Sequence, residues 1–360
     1  MKKIVTIVGA RPQFVKAAIV SRALQKHGNI HETIVHTGQH YDENMSKIFF
    51  DELEMPKIDY QLHLTETSHA KQTAEMLSAI EGILLNEKPD WLLIYGDTNS
   101  TLAGALAAAK LHIPIAHVEA GLRSYNRRMP EEINRLVADQ LSSALFTPTT
   151  QSMTNLKNEG YPDARLFPVG DVMHDVSLLF SQKAETQSTI LKKLSLSPKT
   201  YILATIHRAE NTDDKNRLLD IFFALEIINK IHPVIIPLHP RTKKYLSQYQ
   251  PDFIKSSQLR LIDPVGYLDM IQLEKNALVI LTDSGGVQKE AFFYQVPCIT
   301  LRDETEWIET IDLNWNRLVK PLTQENIIAQ VKEAFNSKGV KNQFPYGKGN
   351  AAELIAKIFV

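Results

Sequence analysis

Short apolar runs recur along this 360-residue chain, and each leads through a turn into a segment of helical period. Ile4-Val5-Thr6-Ile7-Val8 precedes such a segment at about 12–24. Trp91-Leu92-Leu93-Ile94-Tyr95 leads through Gly96-Asp97-Thr98 into an Ala/Leu-rich stretch at about 100–111. Ile113-Pro114-Ile115-Ala116-His117-Val118 and Ala144-Leu145-Phe146-Thr147 continue the series. Strands apolar on both faces, alternating with helices, predict a parallel sheet covered by helices on both sides. The series lapses over 171–189, a polar stretch with a short helix, and restarts at Tyr201-Ile202-Leu203-Ala204-Thr205-Ile206. Val234-Ile235-Ile236-Pro237-Leu238, Leu259-Arg260-Leu261-Ile262, Leu278-Val279-Ile280-Leu281 and Cys298-Ile299-Thr300-Leu301 supply a second sheet. The expectation is an α/β protein of two parallel-sheet domains with a boundary near residue 170, which face to face would form a cleft. At about 150 residues per domain the length fits two.

The balance of 40 basic and 41 acidic residues argues against a nucleic-acid or anionic-membrane binder. One cysteine, Cys298, forms no internal disulfide. Met-Lys-Lys is followed by five apolar residues, short of the roughly 7–15 of a signal peptide. No run nears the roughly 18 of a membrane span. The expected location is cytoplasmic.

Open parallel sheets bind ligands at the carboxyl ends of their strands, so the residues there are the ones to read for chemistry. Thr282-Asp283-Ser284-Gly285-Gly286 lies between a strand and a helix. Its glycines let backbone N–H groups approach a ligand, and a helix N-terminus suits a phosphate. Glu290, one turn further, can accept from ribose hydroxyls. The ordinary alternative is a Ser-capped turn; neither a dinucleotide fingerprint nor a P-loop is present. Arg11 and Lys16, in and after Gly9-Ala10-Arg11-Pro12, are candidate diphosphate contacts or else solvated helix cations. Asp97, Glu119 and Glu131 are acids at strand or helix ends. Asp97 could be an N-cap and Glu131 could favour a helix dipole. Glu119 directly follows an apolar strand, where an unpaired carboxylate is costly. Carboxylates gathered in one cleft would raise one another's pKa values, as acid–base chemistry needs. His207-Arg208 follows the strand at 201–206 as a ligand contact. His36 and His40 stand four apart, but Gly38 and the preceding strand argue against a helix and a zinc site there.

Together these residues resemble the non-hydrolysing UDP-N-acetylglucosamine 2-epimerase family over nearly the whole chain. The marks are Gly9-Ala10-Arg11-Pro12 with Lys16, Gly38-Gln39-His40, Gly96-Asp97-Thr98, and His117-Val118-Glu119-Ala120-Gly121-Leu122-Arg123. Pro130-Glu131-Glu132 with Asn134-Arg135, His207-Arg208, and the run from Thr282-Asp283-Ser284-Gly285-Gly286 to Glu290-Ala291 complete them. The resemblance implies the glycosyltransferase-B architecture, two Rossmann-like α/β domains, 1–170 and 171–344, facing across a cleft, with a final helix near 345–360 packing back on the first domain. It implies a UDP-sugar substrate, a homodimer, and no nicotinamide, metal or other cofactor. Asp97, Glu119 and Glu131 match the family's acid–base carboxylates, and His207 its catalytic histidine. Arg11, Lys16, Ser284, Gly285, Gly286 and Glu290 match its UDP-binding positions. The implied reaction removes the C2 proton of a UDP-2-acetamido sugar as UDP leaves C1, then reverses this on the opposite face.

The chain also departs from the common family pattern. Trp307 stands where a ligand-contacting arginine is expected, and Gln13 where members often have Glu. Arg127 and Arg128 fall in the short segment 119–131, which with Arg123 and Trp307 makes a tentative set of sugar contacts. These differences resemble the branch acting on UDP-2,3-diacetamido-2,3-dideoxyglucuronate. Tyr41-Asp42 differs from the segment forming an allosteric site in some members. A retaining UDP-sugar glycosyltransferase of the same architecture is the alternative class.

Overall fold

The computed structural model describes residues 1–39, 57–66, 68–336 and 339–360. His40, Tyr41 and Asp42 lie outside the described residues, so the readings made on them are not followed further. The chain divides into two compact units. One comprises Met1–Leu178 with Phe344–Val360, the other Leu179–Gln343. The division falls within helix Val172–Gln187, a 16-residue element where the polar sequence led us to expect a short one.

The first unit holds β1 (Lys2–Val8), β2 (Ile30–His36), β3 (Tyr60–Gln61), β4 (Trp91–Tyr95), β5 (Ile115–Val118), β6 (Ala144–Thr147) and β7 (Leu166–Pro168). They form one sheet in the order β3-β2-β1-β4-β5-β6-β7, and every pairing is parallel. β1 and β4 are apolar on both faces, and Ile4, Val5, Ile7, Val8, Leu92, Leu93 and Ile94 are all buried. That two-sided burial is what a sheet covered by crossover helices requires. The strand order reverses between β1 and β4. The loops after those two strands therefore open a crevice at the carboxyl edge. Helix Ala351–Ile358 packs on helix Arg11–Lys26, and Phe359 beyond it meets the Trp91 and Phe146 rings edge-on.

The second unit repeats the plan with β8 (Ile202–Thr205), β9 (Val234–Pro237), β10 (Arg260–Ile262), β11 (Val279–Thr282), β12 (Cys298–Thr300) and β13 (Asn316–Leu318). Their order is β10-β9-β8-β11-β12-β13, again all parallel. Here the order reverses between β8 and β11. The two apolar faces of its central strands feed separate cores. Ile202, Ala204, Val279 and Leu281 join one, and Leu203 and Ile280 the other. Both units are thus parallel α/β domains, and each places one reversal point where the sequence carries its polar motifs.

Candidate active site

In the first unit, helix Arg11–Lys26 follows β1 after the loop Gly9-Ala10. Gln13 Oε1 accepts the Gly9 and Ala10 N–H groups at 2.8 and 3.1 Å, satisfying two backbone donors at the helix start. One turn on, Lys16 is buried and pairs with the Glu119 carboxylate. Lys16 is thus committed to a carboxylate in this structure. Glu119 ends the run after β5 with φ +73, a left-handed conformation unusual for a residue with a side chain. Its N–H and that of Ala120 both donate to the Phe146 carbonyl at 3.2 and 3.0 Å, which helps hold that conformation.

Asp97 follows β4 and pairs with Arg135. Thr98, rather than Asp97, caps helix Asn99–Lys110, accepting from the Thr101 N–H at 3.3 Å. Burial pushes the Asp97 carboxyl above the usual carboxylate range. Arg135 opposes that rise, the Glu119 charge adds to it, and Lys16 opposes it. Two acids and two cations therefore influence one another at the β1/β4 reversal point. Glu131 is exposed in the first turn of helix Pro130–Leu141, outside this network. Its neighbour Glu132 is buried and accepts from Ser124 N–H and Oγ, both at 2.9 Å, from Tyr125 N–H at 3.0 Å and from Arg135 at 3.0 Å. Those donors hold the Glu132 carboxyl below its ordinary value against the effect of burial. Asn134 donates to the Asp97 carbonyl at 2.9 Å.

In the second unit the loops after β8 and β11 meet through Asp283, which is fully buried. Its carboxylate accepts the His207 N–H at 3.0 Å, the Arg208 N–H at 3.0 Å and Asn211 Nδ2 at 3.1 Å. His207 Nδ1 lies 3.3 Å from Asp283 Oδ1, with the imidazole side chain 38% exposed. An Nδ1 proton shared with Asp283 leaves Nε2 to serve a ligand. Burial lowers the His207 pKa, Asp283 opposes this, and Arg208 adds to it. The His239 ring sits 5.5 Å away, centroid to centroid.

Helix Gly285–Phe293 starts directly after Ser284. A Cβ on Gly285 would lie 2.7 Å from Glu306 Oε1 and 3.2 Å from Trp307 Nε1, so a larger residue would have to displace the Glu306 side chain. Gly286 is exposed at the helix start. Glu290, one turn further and buried, accepts from the Tyr267 hydroxyl at 3.3 Å. Trp307 is buried with the Lys289 ammonium 4.0 Å from its ring centroid. Arg302 reaches Glu210 at 3.3 Å and Glu306 at 3.1 Å. A helix N-terminus with a glycine pair, an imidazole and a buried carboxylate one turn on can hold a phosphate and a polyol. Among the described residues no three His, Cys, Asp or Glu side chains converge as a metal site.

A family model described as UDP-N-acetylglucosamine 2-epimerase matches residues 22–360. The chain belongs to that family. A UDP-N-acetylglucosamine 2-epimerase homolog of Methanococcus maripaludis is 54% identical, covering 99% of both chains. A UDP-2,3-diacetamido-2,3-dideoxy-D-glucuronate 2-epimerase of Pseudomonas aeruginosa is 50% identical, covering 99% of this chain and 98% of the other. The crystal structure of Methanocaldococcus jannaschii UDP-GlcNAc 2-epimerase in complex with UDP-GlcNAc and UDP matches with a TM-score of 0.90. It shares 46% identity over 99% of each chain.

Within this 2-epimerase fold the sugar contacts expected from sequence separate. Arg123 is not available to a sugar. Its Nε and Nη2 hold Glu159, both at 2.7 Å, and its Nη1 holds Asp139 and the Leu122 carbonyl, both at 2.7 Å. Only 1% of its side chain is exposed. Arg127 and Arg128 are exposed, and Trp307 packs on Lys289. Arg127 also lines a cavity of about 580 Å³ with Leu136, Val137, Gln140 and Tyr161. Sequence reading gave no role to Asp283, Arg135 or Gln13. The first two sit inside quoted motifs, which was the available signal.

Proposed function

We propose that this isomerase interconverts the C2 epimers of a UDP-2-acetamido sugar, UDP-GlcNAc to UDP-ManNAc in type, for cell-surface polysaccharide precursors. The observation that carries the reading is the pairing of a raised carboxyl, Asp97, with Glu119 at one reversal point. The other reversal point carries a helix N-terminus with His207. In the forward direction the C1–O bond breaks and its electron pair leaves with the diphosphate. The C2 proton passes to a carboxylate, and a C1=C2 bond forms, giving a 2-acetamidoglucal. A proton returned to the opposite face and re-addition of UDP complete the exchange. Asp97 and Glu119, with Glu131, are the proposed proton carriers, and the Glu119 charge adds to the rise of the Asp97 carboxyl. Ser284, Gly285 and Gly286, with Arg11 and Lys16, are the proposed diphosphate partners, Glu290 the ribose partner and His207 the catalytic histidine. Lys16 would exchange Glu119 for the diphosphate as substrate enters, releasing the carboxylate as a base.

The same chemistry on UDP-2,3-diacetamido-2,3-dideoxyglucuronate is the second reading, favoured by exposed Arg127 and Arg128 and by the 50% identical relative. We also propose a homodimer. Leu102 and Leu106 recur at helical spacing on helix Asn99–Lys110 and stay half-exposed, and Ile133 on the adjoining helix is 49% exposed. A single buried Cys298 supports a cytoplasmic placement. The deciding experiment is NMR of the protein with each UDP-sugar in deuterated water. Epimerised product with deuterium at C2 is expected. Product that keeps its full C2 proton overturns the elimination, and transfer of the sugar to an added acceptor marks a glycosyltransferase.

A further inference from the structure

His117 lies on β5, two residues before Glu119, and is fully buried. Its Nε2 is 2.7 Å from the Gly96 carbonyl oxygen, and its Nδ1 is 2.7 Å from Asp139 Oδ1. A carbonyl oxygen only accepts, so Nε2 carries a proton. Asp139 also takes the Gly121 N–H at 3.1 Å and an Arg123 N–H at 2.7 Å. Those two donors, one of them a guanidinium, sit on Oδ2 and hold the carboxylate ionised, so Oδ1 accepts and Nδ1 carries a proton as well. Neutral imidazole has one ring proton, not two. We propose that His117 is a resident imidazolium that acts as a positioning residue, clamping the Gly96 carbonyl and so fixing the backbone on which Asp97 stands.

The surrounding charges support a buried cation. Asp139 and Glu159 face His117 and Arg123 as a chain of alternating sign, two acids against two bases. Tyr161 also feels Asp139; burial, with that charge, pushes its phenol up to about 12, so it stays neutral. Burial works to raise the Asp139 carboxyl, but His117 and Arg123 hold it below its ordinary value. The clamp matters because Gly96 abuts the reactive pair. It holds φ +60, and a Cβ there would lie 3.4 Å from Glu119 Oε2 and 4.0 Å from Lys16 Nζ. A shift of Gly96 would therefore displace Asp97 and press on Glu119 together. Asp139 ties the second loop as well, through Gly121, whose φ of +80 favours glycine and where a Cβ would lie 2.4 Å from the Ser152 carbonyl oxygen.

The protonation state stands apart from the proposed reaction; only its catalytic consequence rests on that reading. The test is imidazole ¹⁵N NMR of the full-length, histidine-labelled protein, about two units above the ordinary histidine pKa of about 6.5. One imidazole with both nitrogens protonated is expected. Its signal should vanish in His117→Asn and turn to that of a neutral ring in Asp139→Asn. No imidazolium at that pH, or one that survives His117→Asn, overturns the proposal. Should His117→Asn fail to fold, neutron diffraction from the wild-type protein decides: deuterium on both ring nitrogens supports it and on one overturns it. For the consequence, His117→Asn is expected to lower kcat by up to about 10²-fold, the cost of an ångström-scale misplacement, with KM little changed. An imidazolium in a wild-type protein that epimerises no UDP-sugar would sink the reaction and leave the protonation assignment standing.

Discussion

The Gln13 side chain donates from Nε2 to the Tyr95 carbonyl at 2.7 Å, joining the loop after β1 to the loop after β4. Its other atom, Oε1, holds the Gly9 and Ala10 N–H groups, and Nε2 also reaches Thr98 and Thr101 at 3.0 Å. One amide thus serves acceptors on one side and donors on the other, at the reversal point of the sheet. A carboxylate can do only the second job.

Gln13→Glu is therefore expected to fold with the introduced carboxyl protonated. An ionised oxygen would face the Tyr95 carbonyl in a buried site, which raises the folded pKa above the unfolded value of about 4.3. The sign follows from linkage. Stability relative to wild type is fully kept below about pH 4, and is lost as pH rises through the raised folded value. The loss near neutrality should be about 1–3 kcal/mol, the cost of a buried polar group with the wrong partner. Thermal unfolding of both proteins at about pH 5 and pH 8 checks this. A variant that tracks wild type at both would show that the loops rearrange to accept the charge.

Glu119→Gln and Asp97→Asn are each expected to lower turnover by about 10²-fold or more, the usual scale for an acid–base group. Both keep the side-chain volume, so UDP binding measured by calorimetry should change far less. Ser284→Ala and Glu290→Ala should do the reverse, weakening UDP binding first. Near wild-type turnover in Glu119→Gln would remove it from the proton path.

Asp283 orients His207 through backbone and ring together, so Asp283→Asn should disturb both. The Asp283 charge raises the His207 pKa against burial. Removing that charge should move the inflection due to His207 in the pH–rate profile to lower pH. The turnover loss should approach that of His207→Ala. An unshifted inflection would mean that the anion does not act on the ring.

How much of this was legible in the sequence depended on where each partner lay. β1, β4, β8 and β11 announced themselves as apolar runs, and the motifs after them were readable because parallel sheets put chemistry there. β3, β7 and β13 did not announce themselves, being two or three residues long at or near sheet edges, with Asn316-Arg317 opening the last. Their identity comes from pairing, not from pattern. The partners of Arg123 were hidden for a related reason. Asp139 and Glu159 lie 16 and 36 residues away, and only the fold brings their carboxylates onto one guanidinium. Glu131 and Glu132 are adjacent in sequence and alike in chemistry. Which one is buried was set by the turn at Ser124 and Tyr125, whose N–H groups claim Glu132.

Arg127 and Arg128 bear on the sugar itself. Glu132 is taken up by Ser124, Tyr125 and Arg135, so it is not the partner that neutralises them. Both arginines are exposed just before Pro130, on the loop that leads into the helix carrying Glu131 and Arg135. A neutral N-acetylglucosamine gives two guanidinium groups no task there, whereas a C5 carboxylate would accept a bidentate pair of N–H bonds. The uronate substrate is therefore expected to show the higher kcat/KM, by at least about tenfold, or 1.4 kcal/mol in transition-state binding. Arg127→Ala and Arg128→Ala should erase that preference chiefly by raising KM for the uronate, leaving the neutral sugar's constants nearly unchanged. Steady-state kinetics of the three proteins on UDP-N-acetylglucosamine and on its 2,3-diacetamido uronate analogue measure this directly. A preference for the neutral sugar that neither substitution alters would leave both arginines in solvent and ordinary UDP-N-acetylglucosamine 2-epimerisation as the activity.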